Sequence, residues 1–211
     1  WYSTTAFTEH ALQFIDEGVA AEKPVFLYMA YTAPHWGLHA PAEEIAKFEG
    51  RYADGWQPVR ERRFARQLEL GLFPAETQLS PPDPKVPSWS SVDQQEMDLR
   101  MATHAAMVHL IDRGVGQVVD RLKKHGQFDN TLILFLSDNG ASAESGPTGF
   151  TGSRGGDPKA RTGTRDSYNS FGISGANMCD TPFRRYKMYA HEGGIATPLI
   201  AHWPAAIPGR L

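Results

Sequence analysis

"TLILFLSDNGASAE", residues 131–144, is the stretch on which the reading of this chain turns. An apolar run from Leu132 to Leu136 has the length and composition of a buried strand, and it ends abruptly on Asp138-Asn139-Gly140. Asn-Gly is the strongest short hairpin signal, so one reading is a tight turn. A hairpin would require an alternating strand directly after Gly140, and "ASAESGPTG" does not alternate. The other reading is a cation site. Asp138 and Asn139 offer a carboxylate and an amide oxygen from adjacent positions. Hard cations such as Ca2+ or Mg2+ take such ligands, whereas zinc prefers nitrogen and sulfur. These residues alone leave both readings open.

The flanking sequence supplies the fold. Upstream, Met97, Met101, Ala105, Val108, Ile111, Val115, Val118 and Leu122 recur every three or four residues, which predicts one long helix packed on a sheet. Ser91 with Gln94 forms a capping-box pattern before it, and Gly126 closes it. Ala6, Phe7, Ala11, Phe14, Ile15 and Val19 predict a helix over 5–19 that ends near Gly18. "VFLYMAY" (25–31) reads as a buried strand after Pro24, and "TAPHWGLHAP" (32–41) as the loop at its C-terminal end. Pro41 can open a short helix, and "RERRFARQLELG" (60–71) predicts a charged surface helix stopped by Gly71. Four prolines in 80–90 mark a connector. Downstream, "TPLIAHWP" (197–204) predicts a third strand ended by Pro204.

Alternating helices and strands predict an α/β fold with a mainly parallel sheet flanked by helices. Ligands in such sheets bind beyond the C-terminal ends of the strands, where both Pro34-His35-Trp36 and Asp138-Asn139-Gly140 fall. The segment 141–185 is rich in Gly, Ser, Thr and Asn and lacks an apolar period, so it reads as structureless, either a long functional loop or a disordered segment.

The bulk of the chain excludes several classes. Its 211 residues suffice for one sizeable α/β domain with a core. Lys and Arg number 21 against 24 Asp and Glu, a net charge of −3, which gives no electrostatic reason to expect nucleic acid or an anionic membrane as partner. No apolar run approaches the roughly 18 residues of a membrane span. The single cysteine, Cys179, excludes an internal disulfide framework and a multi-cysteine zinc site. The chain opens on Trp1 and stops at Arg210-Leu211 soon after a strand-like run, so the expectation is a piece of a longer polypeptide.

Two further side chains stand near the strand ends. His35 lies between Pro34 and Trp36, with His39 four residues on. Pro34, Gly37 and Pro41 oppose a helix here, so a zinc-binding histidine pair is not expected. His35 is then either a locally bonded loop histidine or a catalytic one. Lys187, in "RRYKMYAHEGGIATP", is either a solvated surface charge or a group that faces the same crevice from the start of the third strand.

Together, "FLYMAYTAPHWGLHAP", "YADGWQPVRERRFARQLELGLFP", "NTLILFLSDNGASAE" and "TPFRRYKMYAHEGGIATPLIAHWP" resemble the type I sulfatases, and their arylsulfatase branch closely. The resemblance runs over nearly the whole chain in order. Gly37 departs from it, since relatives usually carry Pro there. The resemblance implies an alkaline-phosphatase-like fold, present here as the truncated central part of a catalytic domain without its nucleophile segment or C-terminal subdomain. It implies that Asp138 and Asn139 ligate Ca2+, that His35 contacts the sulfate and assists the leaving group, and that Lys187, five residues before Glu192, contacts a sulfate oxygen. The nucleophile it implies is a formylglycine made within a C/S-x-P-S-R motif. Cys179-Asp180-Thr181-Pro182 does not fit that motif, so the nucleophile is expected upstream of Trp1, and 1–211 alone is expected to be inactive. The substrate class implied is a small-molecule or glycan sulfate ester, and the compartment periplasmic or secreted. Two rivals remain. One is a phosphodiesterase or phosphonate-monoester hydrolase of the same superfamily, and the other is a non-catalytic sulfate- or glycan-binding relative.

Overall fold

A computed structural model describes residues 1–207 and 209; the chain stop at Arg210-Leu211 lies outside them. Among the described residues six α-helices and two strands follow one another. They are α1 (Ser3–Ala20), α2 (Ala42–Ile45), α3 (Trp56–Glu69), α4 (Gln94–Lys124), β1 (Ile133–Leu136), α5 (Gly172–Cys179), α6 (Glu192–Ile195) and β2 (Leu199–His202). The chain forms two units. The smaller comprises Trp1–Pro34, Met107–Phe135 and the described residues from Leu199 to Gly209, and the larger His35–Ala106 and Leu136–Pro198.

The long helix is where its period placed it. Met97, Met101, Ile111 and Leu122 are buried along it, while Val108 is exposed. Its cap differs from the expected one. Asp93 Oδ1 accepts the backbone N–H of Glu96 at 3.0 Å, whereas Ser91 Oγ donates to the Ser88 carbonyl. Asp93 to Glu96 has the spacing of a capping box, and a carboxylate is favoured at the positive end of the helix. The helix ends in a left-handed Gly126 (φ +67°), with Gln127 N–H returned to Leu122 O at 2.9 Å, which satisfies a terminal carbonyl.

In the smaller unit α1 runs two residues past Gly18. It buries Thr4, Thr8, Ala11 and Ile15, a stripe at helical spacing. Its Asp16 accepts from Arg121 and pairs with His125 Nε2 at 2.7 Å on α4. β1 and β2 pair with each other as a two-stranded sheet. The strand predicted over 25–31 does not form, so the described residues do not confirm the mainly parallel sheet. A strand exists only as part of a hydrogen-bonded ladder. Residues 25–31 find no backbone partner among the described residues, and Phe26 is 96% and Tyr28 82% exposed. β1, expected to be buried, carries exposed apolar side chains, with Leu134 56% exposed, and Leu199 on β2 is exposed as well.

The larger unit corrects the reading of 141–185 as structureless. Arg100 on α4, 3% exposed, donates to the carbonyls of Thr148 (2.8 Å), Phe150 (3.3 Å) and Ser170 (2.9 Å) and pairs with Glu96 at 2.7 Å. One buried guanidinium thus satisfies three loop carbonyls and fixes the segment without any apolar period. α5, "GISGANMC", was not expected because its residues are small and buried on nearly all sides. α3 is charged as predicted but starts earlier, and its Arg60 is buried, bonded to the Ser80 carbonyl at 3.0 Å.

Candidate functional site

The loop that carries His35 is pinned inside the larger unit. Leu38 is fully buried, its N–H donates to Asn169 O at 3.0 Å, and Ala40 N–H donates to Gly163 O at 3.2 Å. His39 Nε2 lies 2.5 Å from Ser167 O, so this histidine serves to tie down the loop. The ring of Tyr168 fills the space beside Gly37. A Cβ at residue 37 would stand 2.8 Å from Tyr168 Cδ2, so the Pro expected from the resemblance would need that ring to move.

On this frame His35 is exposed and meets Lys187, whose Nζ lies 3.2 Å from His35 Nε2. His35 Nδ1 is 2.9 Å from the Trp36 carbonyl, which can only accept. The bonding therefore assigns a neutral ring, with the proton on Nδ1 given to Trp36 O and the Nε2 lone pair accepting from Lys187.

A third side chain joins them. Glu144 Oε1 is 3.9 Å from Lys187 Nζ, and its Oε2 accepts from the indole N–H of Trp36 at 3.3 Å and from the Ser142 hydroxyl. Burial alone would push the Glu144 carboxyl up. The bonds from Ser142, its own backbone and Trp36, with the Lys187 charge, more than offset that and hold it below the ordinary glutamate range. The anionic Glu144 thus balances the Lys187 ammonium. Trp36 is held in turn by Phe150 at 5.3 Å, edge to face, with the Arg154 guanidinium 4.8 Å over its ring. Glu144 lies within the stretch that decided the fold, yet its role depends on Trp36 and Lys187, 108 positions before it and 43 after it in the chain.

Asp138-Asn139-Gly140 is not a hairpin turn. Neither Asn139 nor Gly140 has the positive φ that a type I′ turn requires. Gly140 is glycine because the chain passes against the turn at Glu192-Gly193-Gly194. Its N–H donates to Gly194 O at 3.1 Å, and a Cβ there would lie 1.8 Å from Gly193 O. The next residue continues the contact, with Ala141 O accepting from Lys187 N–H at 3.1 Å. The Asp138-Asn139 segment and Lys187 are therefore coupled through backbone, although no hydrogen bond or ion pair joins their side chains among the described residues.

The Asp138 carboxylate is exposed, and neither it nor the Asn139 amide bonds to another described residue. Two uncommitted oxygen donors side by side fit a hard cation as part of its shell. No group of three or more His, Cys, Asp or Glu is gathered for a metal among the described residues.

Asp180, noted in the sequence only as a misfit to the nucleophile motif, supports this loop from behind. Both its oxygens accept from Ala141 N–H, at 3.0 and 3.1 Å. Burial raises its carboxyl to about 7, against the lowering effect of that N–H and of Arg63. Cys179 is unsuited to nucleophilic work, since burial pushes its thiol up to about 12. No helix of the described residues is long and apolar enough to cross a membrane.

A family model described as Sulfatase matches residues 1–210. An uncharacterized sulfatase of Schizosaccharomyces pombe is 36% identical over 98% of this chain and 39% of its own length. An arylsulfatase of Klebsiella aerogenes is 32% identical over 97% of this chain and 45% of its own. The crystal structure of Ps i-CgsB in complex with k-i-k-neocarrahexaose is 28% identical, with a TM-score of 0.54, over 98% of this chain and 29% of that one. The chain thus spans less than half the length of these relatives.

Proposed function

This chain belongs to the sulfatase family, and from that premise we propose that the complete protein hydrolyses sulfate monoesters, in the manner of an arylsulfatase, with residues 1–211 as the central part of its catalytic domain. The observation that carries the proposal is the meeting of Lys187 and His35 at 3.2 Å. It gives two nitrogens positioned to share one tetrahedral anion.

In this reading Lys187 donates to a non-bridging sulfate oxygen, with Glu144 fixing the position of its ammonium. When the anion enters, its oxygen replaces His35 Nε2 as the acceptor for Lys187. Nε2 then takes up a proton from solvent, and the resulting imidazolium gives that proton to the ester oxygen while Nδ1–H stays on the Trp36 carbonyl. A general acid at that oxygen neutralises the charge that develops as the S–O bond breaks. Asp138 and Asn139 would hold part of the shell of a Ca2+, which when bound supplies positive charge to the sulfate oxygens. The proposal takes the nucleophile to be a formylglycine upstream of Trp1, so 1–211 alone turns over no sulfate ester.

The test is turnover by the complete protein of nitrophenyl sulfate, bis(nitrophenyl) phosphate and a phenylphosphonate monoester, before and after calcium is chelated. Sulfate turnover that dominates and falls on chelation is the expected result. Dominant diester or phosphonate turnover would establish the superfamily rival, and sulfate binding without turnover the non-catalytic one.

A further inference from the structure

A pocket of about 240 Å³ lies in the larger unit beside the proposed sulfate contacts, with Glu144 and Lys187 in one wall and Ile173, Met188 and Tyr189 supplying apolar surface. Lys85, from the proline-rich connector, lines it too. The volume is below the roughly 300–1,000 Å³ of sites that enclose drug-sized ligands, so the pocket suits a single ring.

Its charge is unbalanced. Two lysines, Lys85 and Lys187, line the pocket with a single acid, Glu144. Glu144 is already engaged with Lys187 at 3.9 Å. Asp83, the acid nearest Lys85 in sequence, is committed elsewhere. It accepts from Arg185 at 2.9 Å, from Tyr186 OH at 3.4 Å and, at 2.9 Å, from the backbone N–H of Lys85 itself. The Lys85 ammonium has no carboxylate partner among the described residues. An uncompensated cation on the wall of a ring-sized apolar pocket attracts an anion that the ring itself brings.

Resting on the sulfatase reading, we infer that this pocket receives the alcohol half of the ester, and that the preferred alcohol is a single ring bearing a second anionic group, a carboxylate or a second sulfate, held by Lys85. Lys187 faces both the sulfate and the pocket, so the scissile oxygen sits between them. Lys85 is then a specificity-determining residue.

The experiment is equilibrium binding of three ring alcohols to the complete protein: phenol, 4-hydroxybenzoate and 4-hydroxybenzenesulfonate. At least one anionic ring is expected to bind about tenfold tighter than phenol, a margin of about 1.4 kcal/mol. The ratio between the two anionic rings distinguishes carboxylate from sulfate-like recognition. Lys85→Met is expected to remove the margin, Lys85→Arg to keep most of it, and Lys85→Glu to reverse it. Inorganic sulfate should not displace the anionic ring. Equal binding of all three alcohols, an unchanged margin in Lys85→Met, or displacement by inorganic sulfate would each overturn the inference. Binding needs no turnover, so a protein that shows the Lys85 margin but cleaves no sulfate ester refutes the sulfatase reading and leaves the pocket standing.

Discussion

Lys187 Nζ lies 3.2 Å from His35 Nε2 across 152 positions of chain, and the two are assigned different work. A general acid matters in proportion to the charge that builds up on the leaving oxygen. A nitrophenolate carries that charge unaided, and a sugar or alkyl alkoxide does not. In the complete protein His35→Ala should slow an alkyl or sugar sulfate more than nitrophenyl sulfate by a further factor of about 10²–10⁴. Lys187→Ala should cost a similar factor on every ester, because the non-bridging oxygens it meets are common to all. Rates on esters graded by leaving-group pKa decide this, and equal losses for His35→Ala would leave it an oxygen contact only.

Asn139→Ala in the complete protein should weaken Ca2+ binding by at least about 10–100-fold, with the rate falling in step and excess Ca2+ recovering part of it. Asn139 does not have a positive φ, so glycine offers its backbone no relief there. Asn139→Gly should therefore behave like the alanine variant. Normal metal content and rate in the glycine variant would show that Asn139 is no ligand.

Gly140→Ala tests the seam between the Asp138-Asn139 segment and the turn that follows Lys187. Its Cβ would meet the Gly193 carbonyl oxygen at 1.8 Å, and backbone cannot swing aside as a side chain can. The expected cost is about 1–3 kcal/mol or more, read as a lower urea midpoint at unchanged slope. An unchanged midpoint would mean that the two segments do not touch.

Asp180 gives a pH dependence of unusual sign for a carboxylate. Its folded pKa, raised to about 7 by burial, stands above the unfolded value of about 3.9. Between those two values the folded state holds a proton that the unfolded state has lost. Stability should therefore fall as pH rises from about 4 to about 7, by at most about 4 kcal/mol, and level off above. Asp180→Asn keeps an oxygen to accept the Ala141 N–H and removes the titration. Thermal melts of the variant should show a flatter dependence over that window and a higher midpoint at pH 8. The same slope in wild type and variant would exclude Asp180 as its source.

Much of this was legible in the chain itself. Methionines at helical spacing located α4 because periodicity reports a helix face without reference to any partner. The motif words proposed His35, Lys187, Asp138 and Asn139 for the site, since each sits in a short local pattern. What stayed hidden depends on distant segments. Residues 25–31 have strand composition but no ladder partner among the described residues, and α5 is helical on small residues that give no apolar stripe. The fixing of 141–185 rests on Arg100, one guanidinium that reaches three carbonyls about 48 to 70 positions away.

The sequence by itself determined the family and the long helix, and supplied the residues proposed for the chemistry, because these follow from local residue order. Only the tertiary structure decided that Gly140 is a seam and not a hairpin, that Glu144 and Trp36 hold Lys187 and His35 together, and that Lys85 stands uncompensated on the pocket wall. Each of these is a matter of which atoms approach through space. Steric exclusion and charge balance act over a few ångströms, whatever the number of residues between them along the chain.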